Sequence, residues 1–226
     1  MQNGSPIKCS IVSLLVGVEY RVLCGELTEE MEVTSISTDS RSAVAGGLFI
    51  AIEGSAVDGH LFIGAAIESG TVVVIANSQN IHIDTIDSGD VPIVLVEDTA
   101  VLVGTIAARF YSNPADQLNM TAVTGTNGKT TVTYLMEHVL NEAGVNTGVI
   151  GTVEYRYRDF DGQIVRFPAP YTTPDPILLQ EKLKEMLDAG VSTVLMEVSS
   201  HALQQGRLGP VIFENAVFTN LSQDHL

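Results

Sequence analysis

The chain has 226 residues, 45% of them hydrophobic and only 17% charged, which excludes an intrinsically disordered chain and allows one large or two small packed domains. Acidic residues outnumber basic ones 27 to 11, and the resulting net charge of −16 repels nucleic acid and anionic membrane surfaces, so neither is expected as a partner. The same field opposes a nucleotide, so any such ligand must be held by local donors: backbone N–H groups, lysine, arginine or a metal ion.

In chain order, the apolar run Ile11 to Val18 is interrupted by Ser13 and is far shorter than the roughly 20 residues that span a bilayer. With Glu19, Tyr20 and Arg21 following it, it does not end as a cleaved leader does, and a cytoplasmic protein is expected. Cys9 and Cys24 are the only cysteines; their spacing suggests neither zinc binding nor redox chemistry. Short β-rich runs follow at 48–52, 71–75 and 93–96, with a helical pattern from Asp58 to Ser69. Another helix starts at Asp98 as N-cap and places Leu102, Ile106 and Phe110 on one stripe. This first part reads as a small α/β domain, residues 1–112. The polar stretch from Ser112 to Gln117, with Pro114 inside it, marks the boundary to a second domain, residues 118–226.

The second domain reads as strand, glycine loop and helix. Met120 to Thr124 is a buried strand, and Val132, Leu135, Met136 and Val139 form the expected apolar stripe of the following helix. Near-continuous apolar runs at 145–149, 193–198 and 213–219 predict a mainly parallel sheet covered on both faces. A further helix opens at Asp175, with Pro176 in its first turn, and stops at Gly190. The fold class is therefore α/β: a small N-terminal α/β domain followed by an incomplete P-loop-type central domain.

Between strand and helix lies Val123 to Thr131, V-T-G-T-N-G-K-T-T. A loop in this position aims free backbone N–H groups and the positive end of the helix dipole at one point, where phosphate binds. The ATP-binding candidates are Gly125, Thr126, Asn127, Gly128, Lys129, Thr130 and Thr131. Lys129 reaches the β- and γ-phosphates and the Thr130 hydroxyl ligates Mg²⁺. The common form, G-x-x-x-x-G-K-S/T, would need glycine where Val123 stands, so this is a shorter G-x-x-G-K-T loop.

That short loop resembles the one in the Mur ligases, which build the peptide of bacterial cell-wall precursors. Ser37 to Arg41, Leu48 to Gly54 with Asp58-Gly59-His60, Tyr171 to Pro174, Met196 to Leu203 and Phe218 to Leu226 resemble the tripeptide-synthetase (MurE) branch, in the family's order. The resemblance implies a ligase that uses ATP and Mg²⁺ to join meso-diaminopimelate, or L-lysine, to UDP-N-acetylmuramoyl-L-alanyl-D-glutamate through an acyl phosphate, acting as a monomer. It implies catalytic roles for Lys129, Glu197 and His225, with Thr130, Glu197 and His225 as metal ligands. It places Thr38, Ser40 and the turn Ser55, Ala56 and Val57 at the uridine end of the substrate. Tyr171, Thr172, Thr173, Ser199, Gln205 and Arg207 fall around the muramoyl peptide and diphosphate. It further implies that the chain is an N-terminal fragment, inactive alone, with a carbamylated metal-bridging lysine and an amino-acid-binding domain beyond Leu226. The competing readings are a MurF-type ligase, a folylpolyglutamate-type ligase and a non-catalytic nucleotide-binding module.

Overall fold

The computed structural model describes residues 7–54, 57–80 and 86–222. The chain divides into two compact units, residues 1–110 and 111–226.

In the first unit the strands are β1 (Cys9–Ser10), β2 (Arg21–Cys24), β3 (Glu32–Val33), β4 (Ser35–Ser37), β5 (Gly47–Ile50), β6 (Val73–Asn77) and β7 (Ile93–Val96). The helices are α1 (Ile11–Leu14), α2 (Ile63–Glu68) and α3 (Thr99–Phe110). Five strands form one sheet in the order β2-β7-β6-β5-β4, parallel except for the antiparallel β2–β7 edge, while β1 and β3 pair separately. All four residues of β5 and of β7 are buried, which explains why these runs lack polar alternation. Phe49, Ala51, Val74, Ala76, Ile93 and Leu95 pack with Ile63 and Ala66 of α2. Asp98 caps α3 as expected, accepting from the N–H groups of Ala100 at 2.9 Å and Val101 at 3.1 Å, and Leu102, Ile106 and Phe110 are buried.

The second unit contains β8 (Asn119–Thr124), α4 (Lys129–Glu142), β9 (Thr147–Ile150), β10 (Glu154–Arg158), β11 (Ile164–Pro168), α5 (Pro176–Asp188), β12 (Thr193–Glu197), α6 (Ser200–Gln204) and β13 (Asn215–Phe218). The sheet order is β11-β10-β9-β12-β8-β13; β9, β12, β8 and β13 are parallel, and the β10–β11 hairpin adds an antiparallel edge. Asp175 caps α5 by accepting from Ile177 and Leu178, and α5 lays Leu179, Leu183 and Met186 onto Met120, Ala122, Ile150, Val194 and Met196. Because side chains alternate across a strand, Glu197 projects to the other face from Val194 and Met196, and there it meets α4.

The orientation of α4 departs from the expected stripe. Leu135 and Val139 are 61% and 65% exposed, while Thr133 is fully buried. Thr130, Thr133 and Glu137, at i, i+3 and i+7, form the inner face instead, with Thr130 bonded to Glu197 and Glu137 to Arg156, while Leu135 and Val139 lie on the exposed face. Glu137 is matched by Arg156 of β10, which also bonds Glu154 and lies 4.0 Å over the Tyr134 ring, so a shielded ion pair takes the place of apolar packing at this contact.

Tyr155 is fully buried and its hydroxyl donates to the Tyr171 carbonyl at 2.6 Å. Burial pushes its phenol up to about 12 from an ordinary value of 10.0. The neutral phenol is the form that fits the fold, so its contribution is intact below pH 10 and is lost as the pH rises through 12. Urea denaturation should show stability falling steeply between those limits, by up to roughly 3 kcal/mol from this group. Tyr155→Phe should flatten that fall while costing about 1 kcal/mol at neutral pH through the lost hydrogen bond.

Candidate functional site

The carboxyl ends of β8, β9, β12 and β13 open on one edge of the second unit's sheet, and the loops that follow them hold the candidate residues. After β8 the chain turns through Gly125 to Gly128 and enters α4. Gly125 has φ +129° and Gly128 φ +85°, a region closed to most side chains. A Cβ at Gly125 would also lie 2.2 Å from Thr219 Oγ1. Gly128 is the N-cap of α4 and offers no side-chain cap; the helix's own bonding begins with Val132 N–H to Gly128 C=O. The N–H groups of Lys129, Thr130 and Thr131 therefore point out of the helix without intrahelical acceptors, at the positive end of a 14-residue helix.

The other half of the loop is already engaged. Thr126 N–H donates to the Asn220 carbonyl at 3.1 Å and Asn127 N–H to Asn220 Oδ1 at 3.1 Å. Thr126 Oγ1 donates to the Ser222 carbonyl at 2.9 Å, and the Asn127 carbonyl accepts from Thr219 at 2.7 Å and Asn220 at 2.9 Å. Thr126 and Asn127 thus shape the loop by fastening it to the segment after β13. Lys129 bends back across it, its Nζ donating to the carbonyls of Gly125 at 2.7 Å and Thr126 at 3.1 Å.

Glu197, the last residue of β12, is fully buried. Its Oε2 accepts from the hydroxyls of Thr130 at 3.0 Å and Thr152 at 2.9 Å, and its Oε1 from the Thr152 N–H at 3.3 Å. Gly151 permits this approach, since a Cβ there would stand 2.4 Å from Oε1. Among the described residues no lysine or arginine pairs with Glu197. A carboxylate taken out of water with hydroxyl and amide donors but no cation is costly to hold. Together with Thr126 to Thr131 and Thr152, it lines a cavity of about 310 Å³.

These oxygen donors fit a hard divalent cation that keeps several waters, as Mg²⁺ does with one carboxylate, one hydroxyl and nucleotide phosphates. Among the described residues no group of three or more His, Cys, Asp or Glu could hold a metal ion.

The candidate peptide-side residues gather close by. Thr173 is buried; its hydroxyl donates to the Glu197 carbonyl at 2.9 Å and accepts from Ser199 N–H at 3.1 Å, so it is fully used in fixing the turn after β12. Ser199 caps α6, accepting from Ala202 N–H at 3.2 Å. Arg207 donates to the Thr173 carbonyl at 3.2 Å and lies 5.1 Å over the exposed ring of Tyr171. Gln205 is exposed at the end of α6, and Thr172 bonds Thr152 at 3.1 Å. A second cavity, about 270 Å³, lies between the loop and the start of α6, lined by Gly125, Lys129, Ser199, Ser200, His201 and Ser222 among others.

In the first unit Thr38 and Ser40 follow β4, where Asp39 accepts from the Arg41 N–H and side chain, and Val57 is exposed. Ser55, Ala56 and His225 lie outside the described residues. Sequence reasoning missed Thr152 and the Thr219–Ser222 clamp. Phe218 to Leu226 drew notice only as a motif, and nothing in a lone threonine after β9 distinguishes it from a turn former.

Residues 32–111 match the family model described as the Mur ligase family catalytic domain, and residues 123–226 match the Mur ligase middle domain. The two models together match most of the chain, and the chain belongs to the Mur ligase family. A UDP-N-acetylmuramoyl-L-alanyl-D-glutamate–2,6-diaminopimelate ligase of Listeria monocytogenes is 45% identical over 205 residues, 91% of this chain and 39% of that protein. The ligase of the same name from Geobacter sulfurreducens is 42% identical over 202 residues, 89% of this chain and 37% of that protein. The chain therefore spans about two fifths of the length of these curated relatives. Among solved structures, a ligase of this name superposes with TM-score 0.69 at 31% identity, over 86% of this chain and 37% of that one. A MurF structure from Acinetobacter baumannii superposes with TM-score 0.65 at 20% identity, over 98% of this chain and 42% of that one, and shares the fold. Among the described residues no helix is long and apolar enough to cross a membrane.

Proposed function

We propose that this chain carries the nucleotide-phosphate site of an ATP-dependent amide ligase. The whole protein would join meso-diaminopimelate, or L-lysine, to UDP-N-acetylmuramoyl-L-alanyl-D-glutamate. The observation that carries this reading is the convergence on one cavity of the uncapped α4 N-terminus, Lys129, Thr130 and a buried Glu197 without a cationic partner. The names borne by relatives at 45% and 42% identity support the choice of substrate.

In this reading the N–H groups of Lys129, Thr130 and Thr131 receive the phosphates, and Lys129 exchanges its contacts to Gly125 and Thr126 for phosphate oxygens. Thr130 and Glu197 would hold Mg²⁺, and the family resemblance gives a role at a second metal to His225, which lies outside the described residues. Bound there, Mg²⁺ would offset the negative charge shared by the phosphates and the attacking carboxylate. The D-glutamyl carboxylate attacks the γ-phosphorus and expels ADP, and the amine of the incoming amino acid then attacks the acyl carbon, releasing inorganic phosphate and a proton as the amide forms. Lys129 and the helix N-terminus act chiefly by neutralisation and positioning, as phosphoryl transfer between anions requires. The family resemblance supports assigning Tyr171, Thr172, Thr173, Ser199, Gln205 and Arg207 to the muramoyl peptide and diphosphate, and separately assigning Thr38, Ser40 and Val57, with Ser55 and Ala56 outside the described residues, to the uridine end.

ADP release by the whole gene product tests the proposal. Release that requires both UDP-N-acetylmuramoyl-L-alanyl-D-glutamate and diaminopimelate or lysine supports it. Release only with the muramoyl tripeptide and D-alanyl-D-alanine would move the assignment to a MurF-type ligase, and no release with any pair would favour a nucleotide-binding module.

A further inference from the structure

The hydroxyl of Thr152 sits between two partners, Glu197 Oε2 at 2.9 Å and Thr172 Oγ1 at 3.1 Å. It has one proton. The ionised carboxylate of Glu197 can only accept, so Thr152 donates to Glu197 and accepts from Thr172, giving a directed chain Thr172 to Thr152 to Glu197. The Thr152 N–H adds a bond to the other carboxylate oxygen at 3.3 Å. Thr152 thus grips both oxygens of a fully buried group, while the missing side chain of Gly151 lets it come close. The Thr130 hydroxyl shares Oε2 with Thr152, and while it donates its proton there its lone pairs remain free for a cation. Thr152 is the residue that bonds both carboxylate oxygens, and so fixes the direction in which the carboxylate points.

We propose that Thr152 is a positioning residue that orients Glu197 for the cation and is itself oriented by Thr172. The proposal rests on the nucleotide-site reading above. Its physical basis is general: outer partners that orient a ligating group change metal affinity about 10- to 100-fold when removed. Thr152→Val keeps the shape and the N–H but deletes the hydroxyl, Thr152→Ser keeps the hydroxyl, and Thr172→Val removes only the donor behind it.

The test is calorimetric titration of the 226-residue chain with ADP, without metal and over a Mg²⁺ series, with Tm recorded for each variant. Thr152→Val should weaken the Mg²⁺-dependent part of binding about tenfold or more. Metal-free ADP affinity, set by the loop, should stay close to that of the unsubstituted chain, while Tm should fall by a few degrees because a donor to a buried carboxylate is lost. Thr152→Ser should restore the Mg²⁺ response, and Thr172→Val should fall between. Unchanged Mg²⁺ response in Thr152→Val, or equal loss of metal-free and Mg²⁺-dependent binding, overturns the proposal alone. Failure of the unsubstituted chain to bind ADP more tightly with Mg²⁺ overturns the site reading and the proposal with it.

Discussion

Replacing Lys129 with alanine should lower ATP-dependent turnover of the whole gene product on the order of 10³-fold or more, the loss seen when one principal charge stabiliser of phosphoryl transfer is removed. In the structure its ammonium is satisfied by two carbonyls of its own loop, Gly125 and Thr126, so nothing in the core depends on it. Tm should therefore stay within about 2 °C of the unsubstituted protein, since surface changes away from buried features shift stability little. Most of the loss should appear in kcat, because the charge on the transferring group and its attacker is largest in the transition state. Retained turnover at saturating ATP would remove Lys129 from the chemistry.

Glu197→Gln should separate function from stability. The amide is nearly isosteric and its oxygen can still accept from the Thr130 and Thr152 hydroxyls, which sets its NH₂ against the Thr152 N–H, and it removes a charge that is fully buried beside neutral donors. Relief of that desolvation should leave Tm equal or raise it by a few degrees. Mg²⁺-dependent nucleotide binding should weaken at least about 100-fold, a loss beyond that of an orienting partner because the ligand itself is altered. A large fall in Tm with Mg²⁺ binding preserved would make Glu197 a structural carboxylate.

Much of the second unit was legible because local chemistry and fold agree there. Gly125, Gly128 and Lys129 lie between a buried strand and a helix, and Asp175-Pro176 opens α5 where capping rules place it. The β10–β11 hairpin was passed over although Glu154 to Arg158 alternates charged and aromatic side chains at strand period, because the charges read as a solvated surface, whereas Arg156 is buried and held by Glu137 and Glu154. The stripe on α4 misled because the polar face with Thr130, Thr133 and Glu137 is the one that meets Glu197 and Arg156, leaving Leu135 and Val139 exposed. At the site, the loop and Glu197 could be found from residue type and position, whereas Thr152 gained its meaning only when β9 and β12 became neighbours. Thr173 shows the converse: it stands at a recognisable motif, yet its hydroxyl is spent on the backbone around Glu197.

The central claim is that the edge formed by the loop, Thr130 and Glu197 is a metal-dependent nucleoside triphosphate site. It is tested most directly by titrating ATP into the 226-residue chain with and without Mg²⁺. Saturable binding of one nucleotide per chain, strengthened by Mg²⁺ and lost in Lys129→Ala, is the predicted result. Binding that is absent, or equal with and without Mg²⁺, would contradict it.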